Sequence, residues 1–546
     1  MTQDDIVYVT GHMHPDTDSV AAAIAYAFFK RTQGVRAVPC RLGELNAETK
    51  YLLDRFGFDE PMLLQDARKT LAEIDLDAPI SISPDTTIRR TLQVMQDEDQ
   101  PYLGVTDEEK YLIGMVTKSD LVNVGLGDTA LGIELLKQTP VKNIAETIEG
   151  TLYYDDPEVH MNGKVSIIAL TAAKLEKYDI RDRVVIMGDD PESQLELIKK
   201  GAGVLIVVWS NDIREDVLEA AKKNHCPIIL SGHGSMNTSR YIYFAPPVKL
   251  IMNRQPVTFR EDELAEDVSK KITAYRFRAF PVIDDEQHLK AYVGRHHLMN
   301  YKNKKIILVD HNEFSQSVRA IEKAQLLEVI DHHRINDFAT NQPVNFRNEI
   351  IGSTATIVQK IYRENQIPIP PNMAGLLLGA VLSDTLMFQS PTTTQVDIDA
   401  ANVLAALGDL DIKTFGKDMF SASSDIKGKK FYDLINQDIK FFEIRDVKTM
   451  VSQIIVPELS VFAEREEEIL RAMETFVGKK NLDLLVVATT GILDNGSIFY
   501  AAGEKAKWME EAFPNQRGER RSLQKGIVSR KKQIVPAITE VINKYA

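Results

Sequence analysis

Cysteine is scarce: the 546-residue chain has two, Cys40 and Cys226, and they form no C-x-x-C pair. That excludes a disulfide-built scaffold and a thiolate-held zinc, and it fits a reducing, cytoplasmic setting. Long apolar runs are also missing. Stretches such as 204–209 fall far short of the ~20 residues that cross a bilayer, so they read as buried strands and no membrane partner is expected. Residues 1–5 are polar and acidic, without the basic and apolar regions of a signal peptide. No G-x-x-x-x-G-K-S/T loop occurs, which excludes a P-loop nucleotidase. Excess positive charge is lacking too: 79 acidic against 65 basic residues leave −14, a field that repels nucleic acid.

What is present is an α/β grammar. Ile6-Val7-Tyr8-Val9-Thr10 is a β-branched strand ended by Gly11, and the polar loop His12 to Asp18 leads into a helix from Ser19 to about Lys30. The same pattern returns late. Residues 305–309 end in Asp310-His311-Asn312, and residues 327–330 end in Asp331-His332-His333. The helical stretch 376–382 ends in Ser383-Asp384. In parallel sheets ligands gather at the carboxyl ends of the strands, so four apolar elements leading into Asp or His point to one shared site.

Between these blocks, about 66–301 holds an internal repeat at a constant offset of 177. Pro79 matches Pro256, Asp85 Asp262, Val105 Val282, Asp107 Asp284, Leu112 Leu289, Val116 Val293 and Asn123 Asn300. Each copy reads as strand, helix, strand, strand, helix. A separate α/β unit, about 127–245, lies between the copies. The segment 427–546 reads as a further α/β lobe with a basic stretch, Ser529-Arg530-Lys531-Lys532-Gln533.

His12, Asp16, Asp18, Asp310, His332 and Asp384 supply two imidazoles and four carboxylates. Any one alone is more simply a capping Asp or a core His. Together, without thiolates, they suit two hard or borderline divalent ions such as Mn²⁺, Co²⁺ or Mg²⁺. Paired ions share a water, bring its pKa toward neutrality and absorb phosphoryl charge. A charged substrate then needs cations, and His333, Lys440, Arg530 and Lys531 are the candidates.

Gly11-His12-Met13-His14-Pro15-Asp16-Thr17-Asp18, Asp310-His311-Asn312, Asp331-His332-His333, Ser383-Asp384 and 529–533 resemble, in that order, the family II inorganic pyrophosphatases of the DHH phosphoesterase superfamily. The repeats resemble CBS motifs. The unit between them is similar to a DRTGG domain, through Ile186-Met187-Gly188-Asp189 and Ser235-Met236-Asn237-Thr238-Ser239-Arg240. The resemblance implies an α/β fold: a DHH parallel-sheet catalytic domain (1–66 and 301–420), a CBS–DRTGG–CBS regulatory cassette (67–126, 127–245, 246–300) and a C-terminal substrate-binding lobe (427–546).

It further implies hydrolysis of pyrophosphate with two Mn²⁺ or Co²⁺ ions, and Mg²⁺ arriving with the substrate. One ion would be held by His12, Asp16 and Asp310, the other by Asp18, Asp310, His332 and Asp384. His333, Lys440, Arg530 and Lys531 would bind phosphate. AMP, ADP, ATP or a diadenosine polyphosphate would regulate the enzyme from the CBS domains, and a homodimer is expected. The Thr-x-x-Asp of CBS motifs stands in repeat one as Thr117-Lys118-Ser119-Asp120, whereas repeat two has Gly294-Arg295-His296-His297. Nucleotide contacts are therefore expected from Thr117, Lys118 and Asp120, with Arg276, Arg278 and Arg295 on the phosphates. One departure stands near the metals: many relatives carry Asn where this chain has His14. The alternatives are another DHH phosphoesterase, acting on oligonucleotides or cyclic dinucleotides, and a non-catalytic nucleotide sensor. The former usually carry a Gly-Gly-Gly-His motif in the last lobe, which is absent here.

Overall fold

A computed structural model describes residues 6–126, 129–168, 179–335, 339–340, 342–423, 430–462, 465–515 and 521–545. The chain divides into two compact units, Met1–Lys69 with Lys302–Ala546, and Thr70–Tyr301.

In the first unit the β-branched strand Ile6–Thr10 lies inside a six-stranded parallel sheet. The order is Asn345–Asn348, Gln325–Asp331, Lys305–Val309, Ile6–Thr10, Arg36–Arg41, Met62–Leu63. The chain moves outward in one direction from Ile6–Thr10 and in the other from Lys305–Val309. The order therefore reverses between these two strands, the place where open α/β sheets leave a ligand crevice. Helix Thr17–Thr32 packs against Pro371–Asp384 and Thr354–Glu364. Its buried alanines, Ala21 to Ala23, Ala25 and Ala27, allow close approach. On Pro371–Asp384 a Cβ at Gly375 would strike the Phe56 ring, and one at Gly379 would strike Leu52. These helices form one continuous core with the sheet.

Helix Thr17–Thr32 begins two residues before the expected Ser19, because the Asp16 carboxylate caps it by accepting from the Ser19 N–H at 2.9 Å. Asp18 is thus fixed on the first helical turn and not in a loop. Helix Pro371–Asp384 ends on Asp384, as the sequence suggested. The same unit carries a five-stranded sheet in the order Ile439–Ile444, Val447–Val456, Leu484–Gly491, Gly496–Ala502, Gln524–Lys525. Its two longest strands run parallel and the other pairs antiparallel.

The second unit contains both repeats. Strands Tyr102–Thr106 and Leu112–Thr117 of the first correspond to Ala279–Ile283 and Leu289–Gly294 of the second, at the offset of 177. Even the register shift recurs, between Val105 and Thr106 and between Val282 and Ile283. Tyr111 bridges to His288, its own counterpart. Between the repeats lies a five-stranded sheet, Thr151–Tyr154, Ile228–Leu230, Val204–Val207, Val184–Met187, Val165–Ile168. Among the described residues no helix is long and apolar enough to cross a membrane.

Candidate metal centre

The sheet's switch point delivers the side chains. His12 follows Ile6–Thr10, and Asp310 follows Lys305–Val309 with its backbone in the left-handed region, φ 63°. A non-glycine residue held there signals a local demand that outweighs its conformational cost. The Asp310 carboxylate is 1% exposed. His12 Nε2 lies 3.4 Å from Asp16 Oδ2 and 3.6 Å from Asp310 Oδ2. His332 Nε2 lies 3.5 Å from Asp310 Oδ1 and 3.6 Å from Asp384 Oδ2.

Two sets of donor atoms result, each within 4.8 Å: His12, Asp16 and Asp310, and Asp18, Asp310, His332 and Asp384. Asp310 belongs to both. The structure thus brings together all six residues expected to hold metal.

Several of the donors are oriented from behind. His332 Nδ1 lies 3.0 Å from the Ile351 carbonyl, which fixes its proton there and leaves Nε2 toward the carboxylates. Asp18 is fully buried. Its Oδ1 accepts from Ser353 Oγ and the Ala355 N–H, and its Oδ2 from the Thr354 N–H, at 2.6 to 2.9 Å. The Thr354 hydroxyl donates to Asp310 Oδ1 at 2.9 Å. The start of helix Thr354–Glu364 is held in turn by buried Asp397, which accepts from the Gly352 N–H and the Thr356 hydroxyl. Ser353, Thr354 and Asp397 escape the sequence reading. Their one signal is a Gly-Ser-Thr entry to an amphipathic helix.

The electrostatics describe a site short of cations. Burial alone would lower His12, but Asp16, Asp310 and Asp18 outweigh it and raise it to about 9. His332 is likewise lowered by burial, yet Asp310, Asp384 and Asp18 bring it up to about 11. Burial, then facing carboxylates, push Asp18 and Asp384 well above the usual range. His311 is different. Burial takes it down to about 4, and its two nitrogens meet the Val309 carbonyl and the Ser317 hydroxyl, so it is a neutral structural residue.

Asp310 Oδ2 and His332 Nε2 are buried with no hydrogen-bond partner. Such atoms are costly to leave unmet, and both face the donor sets. The residues present therefore fit two divalent ions with oxygen and nitrogen donors.

The N-terminal domain of the DHH family matches residues 6–381, and the DHHA2 domain matches 417–541. The cobalt-dependent inorganic pyrophosphatase of Clostridium perfringens is 35% identical, over 98% of each chain. The chain belongs to the family II inorganic pyrophosphatases. The manganese-dependent inorganic pyrophosphatase of Bacillus subtilis is 41% identical over 237 residues, 43% of this chain and 77% of that one. A crystal structure of the CBS and DRTGG domains of the Clostridium perfringens pyrophosphatase, complexed with the activator diadenosine tetraphosphate, is 26% identical. It covers 41% of this chain and 99% of that one, with a TM-score of 0.39.

In this pyrophosphatase the expected phosphate-binding residues fall into two groups. His333 stays beside the carboxylates. Its Nδ1 lies 2.9 Å from the buried Asp331 Oδ1, which leaves Nε2 as the atom able to meet a substrate. Asn312 donates to the other Asp331 oxygen. Lys440 gathers with Arg530 and Lys531, and burial followed by the charges of Arg530 and Lys531 lowers its pKa. Arg530 is anchored by Asp438, through the carboxylate at 2.8 Å and the carbonyl at 2.9 Å. Among the described residues no hydrogen bond or ion pair joins this cationic group to His333 or the carboxylates. His14 is exposed.

Five of the six residues expected at a nucleotide line one cleft. A cleft of about 720 Å³ in the second unit is lined by Thr117, Lys118, Asp120, Arg276 and Arg278, with Asn123, Asn253 and Phe277. Arg295 is a correction: its guanidinium donates to the Ile272 and Tyr275 carbonyls, so it secures its own repeat and does not line the cleft. The Thr117 N–H and hydroxyl both donate to Asp120 Oδ2, at 2.8 and 2.7 Å. In repeat two the Gly294 N–H donates to His297 Nδ1 at 2.9 Å, so an imidazole does the capping of the missing carboxylate.

Proposed function

We propose that this chain hydrolyses inorganic pyrophosphate to two phosphates at the cluster centred on Asp310, in a cytoplasmic homodimer. The observation that carries the reading is the sharing of one buried carboxylate by two donor sets. His12, Asp16 and Asp310 would hold one ion, and Asp18, Asp310, His332 and Asp384 the other, Mn²⁺ or Co²⁺. Bound there, two divalent ions supply a water-derived nucleophile at neutral pH and neutralise charge on the transferring phosphoryl group.

The chain's own residues do the rest. Asp331 accepts from His333 Nδ1–H and so orients the ring, and with Nε2 also protonated the side chain donates from there to a phosphate oxygen. Lys440, Arg530 and Lys531 bind the two phosphates of a Mg²⁺–pyrophosphate complex. Burial, and after it the charges of Arg530 and Lys531, lower Lys440, and a polyanion relieves the repulsion among the three cations. Arg530 offers a planar fork suited to two phosphate oxygens.

Adenine nucleotides, as AMP, ADP, ATP or a diadenosine polyphosphate, occupy the cleft in the second unit. Asp120 reads the ribose, and Lys118, Arg276 and Arg278 take the phosphates. A nucleotide that inhibits must bind the less active state more tightly, and one that activates must do the reverse.

Phosphate release with Co²⁺ or Mn²⁺ tests the reading, with pyrophosphate, a short oligonucleotide and a cyclic dinucleotide as parallel substrates. Turnover of pyrophosphate alone is expected. Cleavage confined to the nucleotides, or no turnover of any substrate, would overturn it.

A further inference from the structure

Glu48 lies in the first turn of helix Ala47–Phe56, behind the cluster and 9% exposed. Its Oε1 accepts two hydrogen bonds, from the Thr17 hydroxyl at 2.6 Å and from the Ser383 hydroxyl at 2.5 Å. Thr17 stands between Asp16 and Asp18, and Ser383 immediately precedes Asp384. A single oxygen therefore joins the turn that carries two donors to the helix end that carries another, across more than 300 residues of sequence.

The Thr17 hydroxyl also lies 3.1 Å from that of Thr49, and both threonines are 1% exposed. The Thr17 side of the join is therefore fully buried. A carboxyl group is a poor choice for packing here, because burial and the nearby Asp16 both raise its pKa. Oxygen–hydroxyl contacts of this kind instead hold donor atoms at a set separation, the role of outer partners around metal sites.

We propose that Glu48 is a positioning residue that fixes the separation between the Asp16–Asp18 turn and Asp384, and thereby the affinity of the pair of ions. The proposal rests on the two-ion reading of the cluster. It predicts that the hydroxyls of Thr17 and Ser383 act through Glu48 and not independently.

The test is Co²⁺ binding to the full-length chain, read by calorimetry and by the visible absorption of the bound ion, with no substrate present. Glu48→Ala should weaken binding by roughly 10- to 100-fold and shift the cobalt band, the scale of losing an outer partner. Glu48→Gln keeps an oxygen acceptor and should recover most of that loss. Thr17→Val and Ser383→Ala should each weaken binding in the unaltered background and add nothing in the Glu48→Ala background. Wild-type affinity and spectrum in Glu48→Ala would overturn the proposal. If Glu48→Ala does not fold, the Thr17→Val and Ser383→Ala double variant decides: strict additivity of the two losses overturns it, and a double loss no larger than the greater single one supports it. Failure of the unaltered chain to take up two ions would instead overturn the reading beneath, and that measurement needs no variant.

Discussion

Asp18 and Lys440 show two ways of preparing a charged group for work. Asp18 is wholly buried, and its oxygens are filled by three donors from the start of one helix. Lys440 stands beside Arg530 and Lys531, and among the described residues only Arg530 of the three is pinned by an ion pair, with Asp438. The carboxylate cluster is over-determined because ion donors must hold their separations before the ion arrives. The cationic group is loosely held because a phosphate can be met by long side chains that reach for it. Substitutions in the first region should therefore act on ion uptake and turnover together, and those in the second on substrate affinity.

The sharpest way to break that contrast is Asp310→Ala. It removes the residue common to both donor sets, so turnover should fall on the order of 10³-fold or more, comparable to losing a principal electrostatic stabiliser. Near-normal turnover by steady-state kinetics would end the shared role of Asp310.

Acidity should discriminate next. In the metal-free chain His12 and His332 keep their protons up to about pH 9 and about pH 11. An ion can take either ring only after its proton leaves, so ion affinity should rise with pH, roughly tenfold per unit for each proton displaced. The metal-free fold has the opposite sign. A histidine pKa raised on folding contributes stability that is complete below the ordinary value of 6.5 and is lost as pH climbs through about 9 and then about 11. The gap in Tm between the Co²⁺-loaded and metal-free chain should thus widen from pH 6.5 to pH 9. A flat gap in a calorimetric series would contradict it.

Arg530→Ala should leave ion binding intact and raise KM by roughly 10- to 100-fold, the equivalent of about 1.5–3 kcal/mol for hydrogen bonds to a charged group. A fall in kcat at unchanged KM would blur the distinction between the regions. The smallest effect is expected in the second unit. Asp120→Ala should weaken AMP binding about five- to tenfold, the loss of roughly one hydrogen bond, and leave basal turnover unchanged. His297→Ala, at the matching place in repeat two, should leave AMP binding alone. Equal losses in calorimetry would mean that the repeats are equivalent after all.

The metal donors were legible because each ends an apolar element, and chain order plus parallel pairing forces such ends together. The repeats were legible because the offset of 177 carries through strand positions and even the bulge. What sequence could not show lies in contacts across long separations. The hydroxyl and the two N–H groups that hold Asp18 come from Ser353 to Ala355, more than 300 residues away, and Glu48 meets Ser383 over a similar distance. Arg295 was misplaced for a related reason. Its guanidinium finds two carbonyls at a helix end nearby, a competition that residue type alone does not reveal.

The account turns on one carboxylate serving two ions. Counting Co²⁺ bound per chain by calorimetry, in the unaltered protein and in Asp310→Ala, tests this most directly. Two tight ions in the first and none in the second is the predicted result; two tight ions in Asp310→Ala would contradict it.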